Sequence, residues 1–217
     1  MTLRYHAFRP QIWLGLLACI SGGACVEDLS PTPDDSDTED TDADTDTDTD
    51  TDTVEDGNLV LEGPGPDGEV HADIDSTDGA GWVYLDMATP EETDENGLWS
   101  LKFQRYTLAV NGGVSGDADV QAVFVEGLAY DDAKVAPDTG WNADRPDEDE
   151  DGTPEYVMGE WYDYDPSTHV LSPKPGTWFV RGVGGQTYAV EVLDYYSDAG
   201  DSGHPSLRYR PVQDPSQ

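Results

Sequence analysis

The sequence predicts an all-β domain, an antiparallel sandwich or half-open barrel of eight or more strands, which follows a disordered acidic tether. Beyond Asn58 the apolar side chains recur at two-residue intervals, which is the period of a strand. Glycine and proline number 23 and 15 in 217 residues, so turns should be frequent. No stretch shows the sustained 3.6-residue period and the caps of a helix. These three observations favour many short strands.

Residues 1–24 have the three parts of a secretory signal. Arg4 and Arg9 give a basic start, residues 12–20 are an apolar run, and small residues fill positions 21–24. The run is too short to cross a bilayer, which needs about 20 apolar residues.

The end of this signal is similar to a lipobox, in which a cysteine thiol receives a lipid. Cys25 follows the small residues and is the predicted attachment site, with Cys19 as the alternative. An ordinary signal peptide with an incidental cysteine is the other interpretation. Val26 stands where inner-membrane lipoproteins of many Gram-negative bacteria carry Asp, so the resemblance favours the outer membrane, on its periplasmic or extracellular face.

Residues 25–57 are predicted to be a disordered tether. Aspartate and threonine alternate up to Thr53, and residues 27–56 hold 15 acidic residues without Lys or Arg. Self-repulsion should keep this segment extended, with a reach of at most ~100 Å. A spacer is the preferred interpretation, and a weak sponge for divalent cations is the rival.

The remaining chain, residues 58–217, is predicted to be the folded domain. From position 57 onward it holds 32 acidic and eight basic residues, a net charge of −24. Such a domain repels nucleic acid and anionic membranes, so the membrane should be contacted only through the lipid anchor.

Strands are predicted in order along this domain. The first spans residues 81–87, and a long one spans residues 98–111, ending at the turn Asn111–Gly113. The apolar phase of the long strand reverses near Gln104, which predicts a bulge or a change of sheet there. Residues 120–125 form the next strand.

The C-terminal part predicts a hairpin and a last strand. Residues 177–183 and 187–196 flank a glycine-containing link, and residues 206–210 end at Pro211. The long segment of residues 131–165, rich in Asp, Pro and Gly, is predicted to be a functional loop.

This loop contains a calcium candidate. Asp147, Asp149, Asp151 and Gly152 match the first half of a calcium-binding loop, but Met158 occupies the twelfth position, where a bidentate Glu belongs. The alternative is a solvated acidic loop.

No nucleophile, zinc or phosphate-binding motif of an enzyme is present in the sequence. Both cysteines belong to the signal region, which excludes a cysteine nucleophile in the domain. We therefore predict a protein that is not an enzyme.

Two separated motifs resemble one family. Residues 98–116, LWSLKFQRYTLAVNGGVSG, look like the W-D-hydrophobic-F-x-R-Y…N-G-G-x-S-G signature of HmuY-like haem-binding lipoproteins. Residues 190–196, 199–203 and 207–209 look like the Y-Y…G…G…F-R-Y end of the same family. The similarity covers roughly residues 80–211. It implies an all-β outer-membrane protein that takes up haem, with an outer-membrane receptor as partner.

The resemblance implies histidine or methionine ligands for the haem iron, without a family ligand motif that can be matched residue by residue. His169 and Met158 are the preferred pair, because both lie in the aromatic stretch around Trp161. The alternatives are a core methionine and a turn histidine. His71, His204 and Met87 are the other candidates in the domain, with turn or surface roles preferred for the histidines.

The predicted function is therefore the binding of haem, or of a related small ligand, for uptake by a non-catalytic outer-membrane lipoprotein. The alternative is a surface interaction module that binds calcium, a glycan or a partner protein without haem.

Overall fold

Twelve antiparallel β-strands form the regular structure of residues 57–215, the part of the chain that the computed structural model describes. Two short 3-10 turns, Tyr130–Asp132 and Val183–Gly185, are the helical elements of that part. The predicted all-β class is confirmed. None of the helices in these residues has the length and apolar character that a membrane crossing needs. The predicted signal, the lipid-accepting cysteine and nearly all of the tether lie outside the described residues.

Six strands make the larger sheet. In spatial order they are β1 (Leu59–Glu62), β2 (Val70–Ile74), β12 (Ser202–Pro211), β11 (Thr187–Tyr196), β10 (Gly176–Arg181) and β7 (Gln121–Glu126). The predicted C-terminal hairpin is confirmed by β10 and β11, in which Trp178 lies opposite Val190. The glycine-containing link fits the turn because Gly184 has a positive φ of 80°.

Four strands make the second sheet, in the order β4 (Glu91–Thr93), β3 (Val83–Asp86), β5 (Leu101–Gln104) and β6 (Thr107–Val110). Strands β5 and β6 fall within the predicted long strand, and the prediction of a bulge or sheet change near Gln104 was wrong. Arg105, with φ of 53°, and Tyr106 form a two-residue turn, so the chain reverses within one sheet. The apolar phase changes because Phe103 and Leu108 are cross-strand partners on the same face.

The two sheets share one hydrophobic core. Leu85 and Leu101 of the smaller sheet pack in the same buried cluster as Val190 and Leu207 of the larger one. Each fully buried side chain of this size contributes about 1.5–3 kcal/mol to folding. The two-residue alternation of residues 187–196 predicts an apolar face that includes Val190, and Val190 lies in this core.

A smaller core covers the outer face of β10 and β11. Phe179 and Ala189 are completely buried there beneath Tyr130 and Ala133, at the start of the predicted loop. Arg210 donates hydrogen bonds to the carbonyls of Tyr130 and Ala133, at 2.8 and 3.0 Å. The start of the loop is therefore fixed to the sheet.

The two remaining strands, β8 (Tyr162–Asp165) and β9 (Val170–Pro173), pair only with each other among the described residues. They form a separate hairpin at the end of the long loop. The pattern of residues 131–165 did not predict a strand, because most side chains of β8 are exposed and polar or aromatic.

Candidate functional site

The β8–β9 hairpin forms a two-stranded sheet of its own, and hydrogen bonds close its base and connect it to the larger sheet. The backbone N–H of Lys174 donates to the carbonyl of Trp161 at 2.9 Å. The backbone N–H of Leu171 donates to the hydroxyl of Tyr196 on β11, also at 2.9 Å. The hairpin is thus closed at its base and bonded to β11, while most side chains of β8 are exposed.

A ladder of aromatic rings forms that base. The ring centroids of Tyr106 and Tyr162 are 6.0 Å apart. The ring centroid of Trp161 lies 5.1 Å from that of Tyr162 and 6.2 Å from that of Tyr195. Tyr195 in turn contacts Tyr196 at 5.2 Å. Edge-on aromatic pairs contribute about 0.5–1.5 kcal/mol each beyond their burial. The ladder therefore gives the hairpin a rigid attachment.

Trp161 is the central member of this ladder. It is 1% exposed, and its indole N–H donates to the backbone carbonyl of Tyr106 at 2.8 Å. Burial raises the pKa of Tyr162 above its usual value, with a smaller contribution from Tyr106. The phenol of Tyr162 stays neutral at physiological pH, so it adds no charge to the base of the hairpin.

His169 lies in the turn of the hairpin. The carboxylate of Asp165 accepts hydrogen bonds from the backbone N–H and the hydroxyl of Ser167. The backbone carbonyl of Asp165 accepts one from the backbone N–H of His169 at 2.8 Å. His169 has a φ of 59°, a left-handed conformation that glycine adopts more readily. The turn chemistry explains why the chain reverses here, but it does not require an imidazole.

The imidazole of His169 is exposed and oriented by one neighbour. The hydroxyl oxygen of Tyr164 lies 2.5 Å from Nδ1 of His169. Within residues 57–215, no hydrogen bond occupies Nε2. A metal-binding histidine commonly has its second nitrogen in such a bond, which fixes the tautomer and the ring orientation. With Nδ1 protonated and donating to Tyr164, the lone pair of Nε2 is available to a metal.

Met158 has the opposite environment. Its side chain is 0% exposed and packs in the main hydrophobic core. Its thioether therefore contributes to packing in this conformation, while His169 faces solvent. The structure does not bring the two predicted ligands to a common surface.

The acidic loop does bring its three aspartates together. One carboxylate oxygen from each of Asp147, Asp149 and Asp151 lies within 4.8 Å of the others, and all three side chains are exposed. Several of these oxygens already accept backbone hydrogen bonds. Asp147 accepts from Asp151 and Gly152, and Asp151 accepts from Thr153. These hydrogen bonds shape the loop.

The other candidates are placed apart from the hairpin turn. Nε2 of His71 on β2 lies 3.2 Å from the carboxylate of Glu69. His204 on β12 lines a cavity of about 570 Å³ together with Asp73 and Asp194. Met87 is fully buried.

Sequence reasoning did not identify Tyr164 as the partner of His169. The two residues are five positions apart, and only the reversal of the chain between β8 and β9 brings them together. The available signal was the run from Asp165 to His169, in which Asp, Pro, Ser and Thr are typical of a turn. A hairpin predicted there would have paired the two rings.

Comparisons with known proteins agree with this fold. The profile of the family described as HmuY protein matches residues 78–209. A search of curated protein sequences finds no significant match.

Three solved structures share the fold at low sequence identity. A candidate lipoprotein of Bacteroides fragilis is 16% identical, with a TM-score of 0.55, over 71% of this chain and 96% of its own. A candidate HmuY-like haem-binding protein of Bacteroides vulgatus is 16% identical, with a TM-score of 0.54, over 71% and 97%. The apo form of a HmuY analogue of Tannerella forsythia is 12% identical, with a TM-score of 0.53, over 71% and 96%.

Proposed function

Because the chain belongs to the HmuY family, we propose that it is an outer-membrane lipoprotein that binds haem for uptake. Proteins of this family bind haem and are not catalytic, so the protein is not an enzyme. The B. vulgatus relative, which shares the fold, is a haem-binding candidate. The step to haem binding in this chain rests on the hairpin.

The observation that carries the proposal is the environment of His169. An exposed imidazole is held through Nδ1 by Tyr164, and its Nε2 has no hydrogen-bond partner in the described residues. Imidazole is a common axial ligand of haem iron. Tyr164, Val170 and Tyr106 are exposed apolar side chains on or beside the same hairpin, and they offer surface to a porphyrin face.

Met158 is the second proposed ligand, and its side chain would have to leave the hydrophobic core to bind iron. Its thioether becomes available only if the turn before β8 opens and withdraws the side chain from the core. In the arrangement of the structure, His169 would be the only one of the two proposed ligands able to reach a haem iron, because it is exposed and Met158 is buried.

The proposed test is a titration of the purified full chain with haemin, followed by the Soret absorption band. We expect saturation at one haem per chain. His169→Asn should lower the affinity at least about tenfold, since an axial ligand is lost. Asn tolerates the left-handed conformation, so the hairpin should persist. The matched control His71→Asn removes an imidazole that is bonded to Glu69 and should bind haem as the wild type does.

Two outcomes would count against the proposal in different ways. If the wild-type chain gave no Soret change, haem binding itself would be rejected. If haem bound equally to the wild type and to His169→Asn, haem binding would stand and the assignment of His169 would be rejected.

Anchoring through Cys25 is part of the proposal, and Cys19 is the alternative. The proposed organisation is a signal at 1–24, a tether at 25–57 and the haem-binding domain at 58–217. Two or three acyl chains suffice for stable anchoring. Incorporation of labelled palmitate should persist in Cys19→Ser and disappear in Cys25→Ser. The reverse result would assign Cys19. An outer-membrane receptor that accepts the haem is the proposed partner.

A calcium-binding surface module is the second candidate function, because the carboxylates of Asp147, Asp149 and Asp151 converge. Calcium should then raise the melting temperature of the full chain, and Asp149→Asn should abolish the rise. Asp163→Asn, on the exposed part of β8, should keep the rise, and a loss of the rise there as well would indicate nonspecific screening of charge.

A further inference from the structure

A cavity of about 530 Å³ opens on the outward face of the smaller sheet. Leu85 and Leu101 point from this sheet into the core, so their neighbours Tyr84 and Lys102, which are cross-strand partners on β3 and β5, point outward. Both line the cavity, and residues 95–99 and 115–118 complete its walls. No residue of the β8–β9 hairpin belongs to this lining.

The buried side chain of Asn111 holds two of these walls together. Its amide nitrogen donates to the carbonyl of Trp99 at 2.9 Å, and its amide oxygen accepts from the backbone N–H of Ala118 at 3.3 Å. Asn111 is 7% exposed. The fold itself therefore shapes the cavity, as is usual for sites that bind small molecules.

Lys102 is the cation of the lining. Its Nζ lies 4.6 Å from the ring centroid of Trp82 and 5.1 Å from that of Trp99. Within residues 57–215 it forms no ion pair, and its hydrogen bond is a long one, 3.4 Å to the carbonyl of Ser115. An ammonium has three N–H donors, so two remain for a molecule in the cavity. The side chain is half-buried, which leaves these donors within reach of such a molecule.

The rest of the lining offers acceptors and apolar surface. Glu95 and Asp117 are exposed and carry the other charges of the cavity. Tyr84 supplies part of an aromatic ring, and Leu98 is 66% exposed. Donors, acceptors and apolar groups thus face the same space. This mixture suits a molecule whose hydroxyls both donate and accept and whose ring has an apolar C–H face.

We propose that this cavity binds an uncharged saccharide. Lys102 donates to hydroxyl oxygens, Glu95 and Asp117 accept from hydroxyl protons, and the ring of the sugar packs against Tyr84 and Leu98. A ligand with carboxylates is disfavoured by the two acidic side chains and by the net charge of −24 from position 57 onward. Haem carries two carboxylates, so this site is independent of the haem proposal.

The test measures the affinity of the purified full chain for methyl glycosides by ligand-observed nuclear magnetic resonance. The neutral probes are the methyl glycosides of glucose, galactose and mannose. Each is compared with the uronide and the amino sugar of the same configuration, which carry a carboxylate and an ammonium. At least one neutral probe should bind at millimolar concentration, about threefold or more tightly than its two charged counterparts.

Lys102→Met removes the ammonium and keeps an unbranched side chain. The affinity for the neutral probe should fall about tenfold or more, as expected for the loss of a hydrogen bond from a charged donor. Lys134→Met is the matched control, because Lys134 is an exposed lysine outside the lining and its loss changes the net charge equally. This control should bind the probe as the wild type does. Thermal unfolding checks that both variants fold.

Leu98→Ser is a second variant that leaves the core intact, because the side chain is largely exposed. It should weaken the neutral probe about threefold, the effect of losing roughly 25 Å² of apolar contact. Val114→Ser is its control, since Val114 is 51% exposed and lies outside the lining. His169→Asn should bind the probe as the wild type does, which separates this site from the proposed haem site.

The proposal would be overturned if no neutral probe bound at millimolar concentration. A tighter complex with the uronide or the amino sugar would also overturn it, because the cavity would then select a charge. So would an unchanged affinity in Lys102→Met. If Lys102→Met did not fold, equal affinities of Leu98→Ser and Val114→Ser would reject the site.

Discussion

The carboxylate of Asp144 accepts a hydrogen bond from the backbone N–H of Val157 at 2.8 Å and so connects two distant parts of the long loop. Its other oxygen accepts from the backbone N–H of Val110 on β6, at 3.1 Å. Asp144 is 2% exposed, and its pKa is raised, mainly because burial disfavours the charged form. One buried carboxylate therefore joins the loop that precedes the β8–β9 hairpin to the smaller sheet.

Replacing Asp144 by Asn should reveal this role through the pH dependence of stability. Asn presents an NH₂ group where one oxygen now accepts a backbone hydrogen bond, so Asp144→Asn should lose about 1–3 kcal/mol at neutral pH. Because the pKa of Asp144 is raised on folding, the folded protein binds this proton more readily. Acidification should therefore stabilise the wild type through this group, from its folded pKa down to the usual value of 3.8.

Urea unfolding of both proteins over a series of pH values measures this effect. The other carboxylates titrate in both proteins, so their effects on the free energy of unfolding largely cancel when the two proteins are compared. The stability advantage of the wild type over Asp144→Asn should grow as the pH falls through that window. An advantage that shrank would show that the hydrogen bonds to Asp144 outweigh its desolvation.

The sequence predicted those strands in which buried side chains recur at two-residue intervals. The β10–β11 hairpin was predicted because Val190 and its alternating neighbours are apolar and Gly184 marks the link. The β5–β6 turn was misread because Arg105 and Tyr106 are not typical turn residues, and the left-handed conformation of Arg105 is imposed by the pairing around it. Strand β8 was missed because its alternation has little apolar contrast.

The candidate site was predictable to a smaller extent. His169 follows a recognisable turn sequence, so its exposure could be expected. The burial of Met158 depends on packing against residues distant in sequence, which no local pattern reveals.

Trp161→Phe should detach the hairpin from the smaller sheet. The substitution leaves the carbonyl of Tyr106 without its donor and opens space in the core, so a loss of about 2–4 kcal/mol is expected in denaturant unfolding. Limited proteolysis should also cut the hairpin faster. Tyr106→Phe is the matched control, since it keeps the backbone carbonyl and the ring. Equal stability of the two variants would contradict the anchoring role.

Tyr164→Phe tests the orientation of His169 within the proposed haem site. The variant removes the hydroxyl that lies against Nδ1 and leaves Nε2 in place. Loss of such a supporting contact commonly costs 10–100-fold in metal affinity, so we expect haemin affinity to fall about tenfold or more. Tyr162→Phe, on the same strand, should have the wild-type affinity. Equal loss in both variants would indicate a general disturbance of the hairpin.

Haem affinity should rise with salt. The carboxylates of haem approach a domain of net charge −24, and added salt screens that repulsion. The association rate should show most of the increase. Haem dimethyl ester, which lacks the two charges, should show little dependence on salt. An affinity that fell with salt would point instead to a local cation such as Lys174, which lies immediately after β9.

The variant Met158→Leu tests whether Met158 is only a core residue or is also a ligand of the haem iron. Leu has a similar volume and fills the same apolar site, so the loss of stability should stay below about 1.5 kcal/mol. If Met158 stays in the core when haem binds, the Soret spectrum and the haemin affinity should be those of the wild type. Met87→Leu is the matched control, since its side chain is equally buried. A spectrum altered in Met158→Leu alone would show that haem binding opens the turn before β8 and that Met158 coordinates the iron opposite His169.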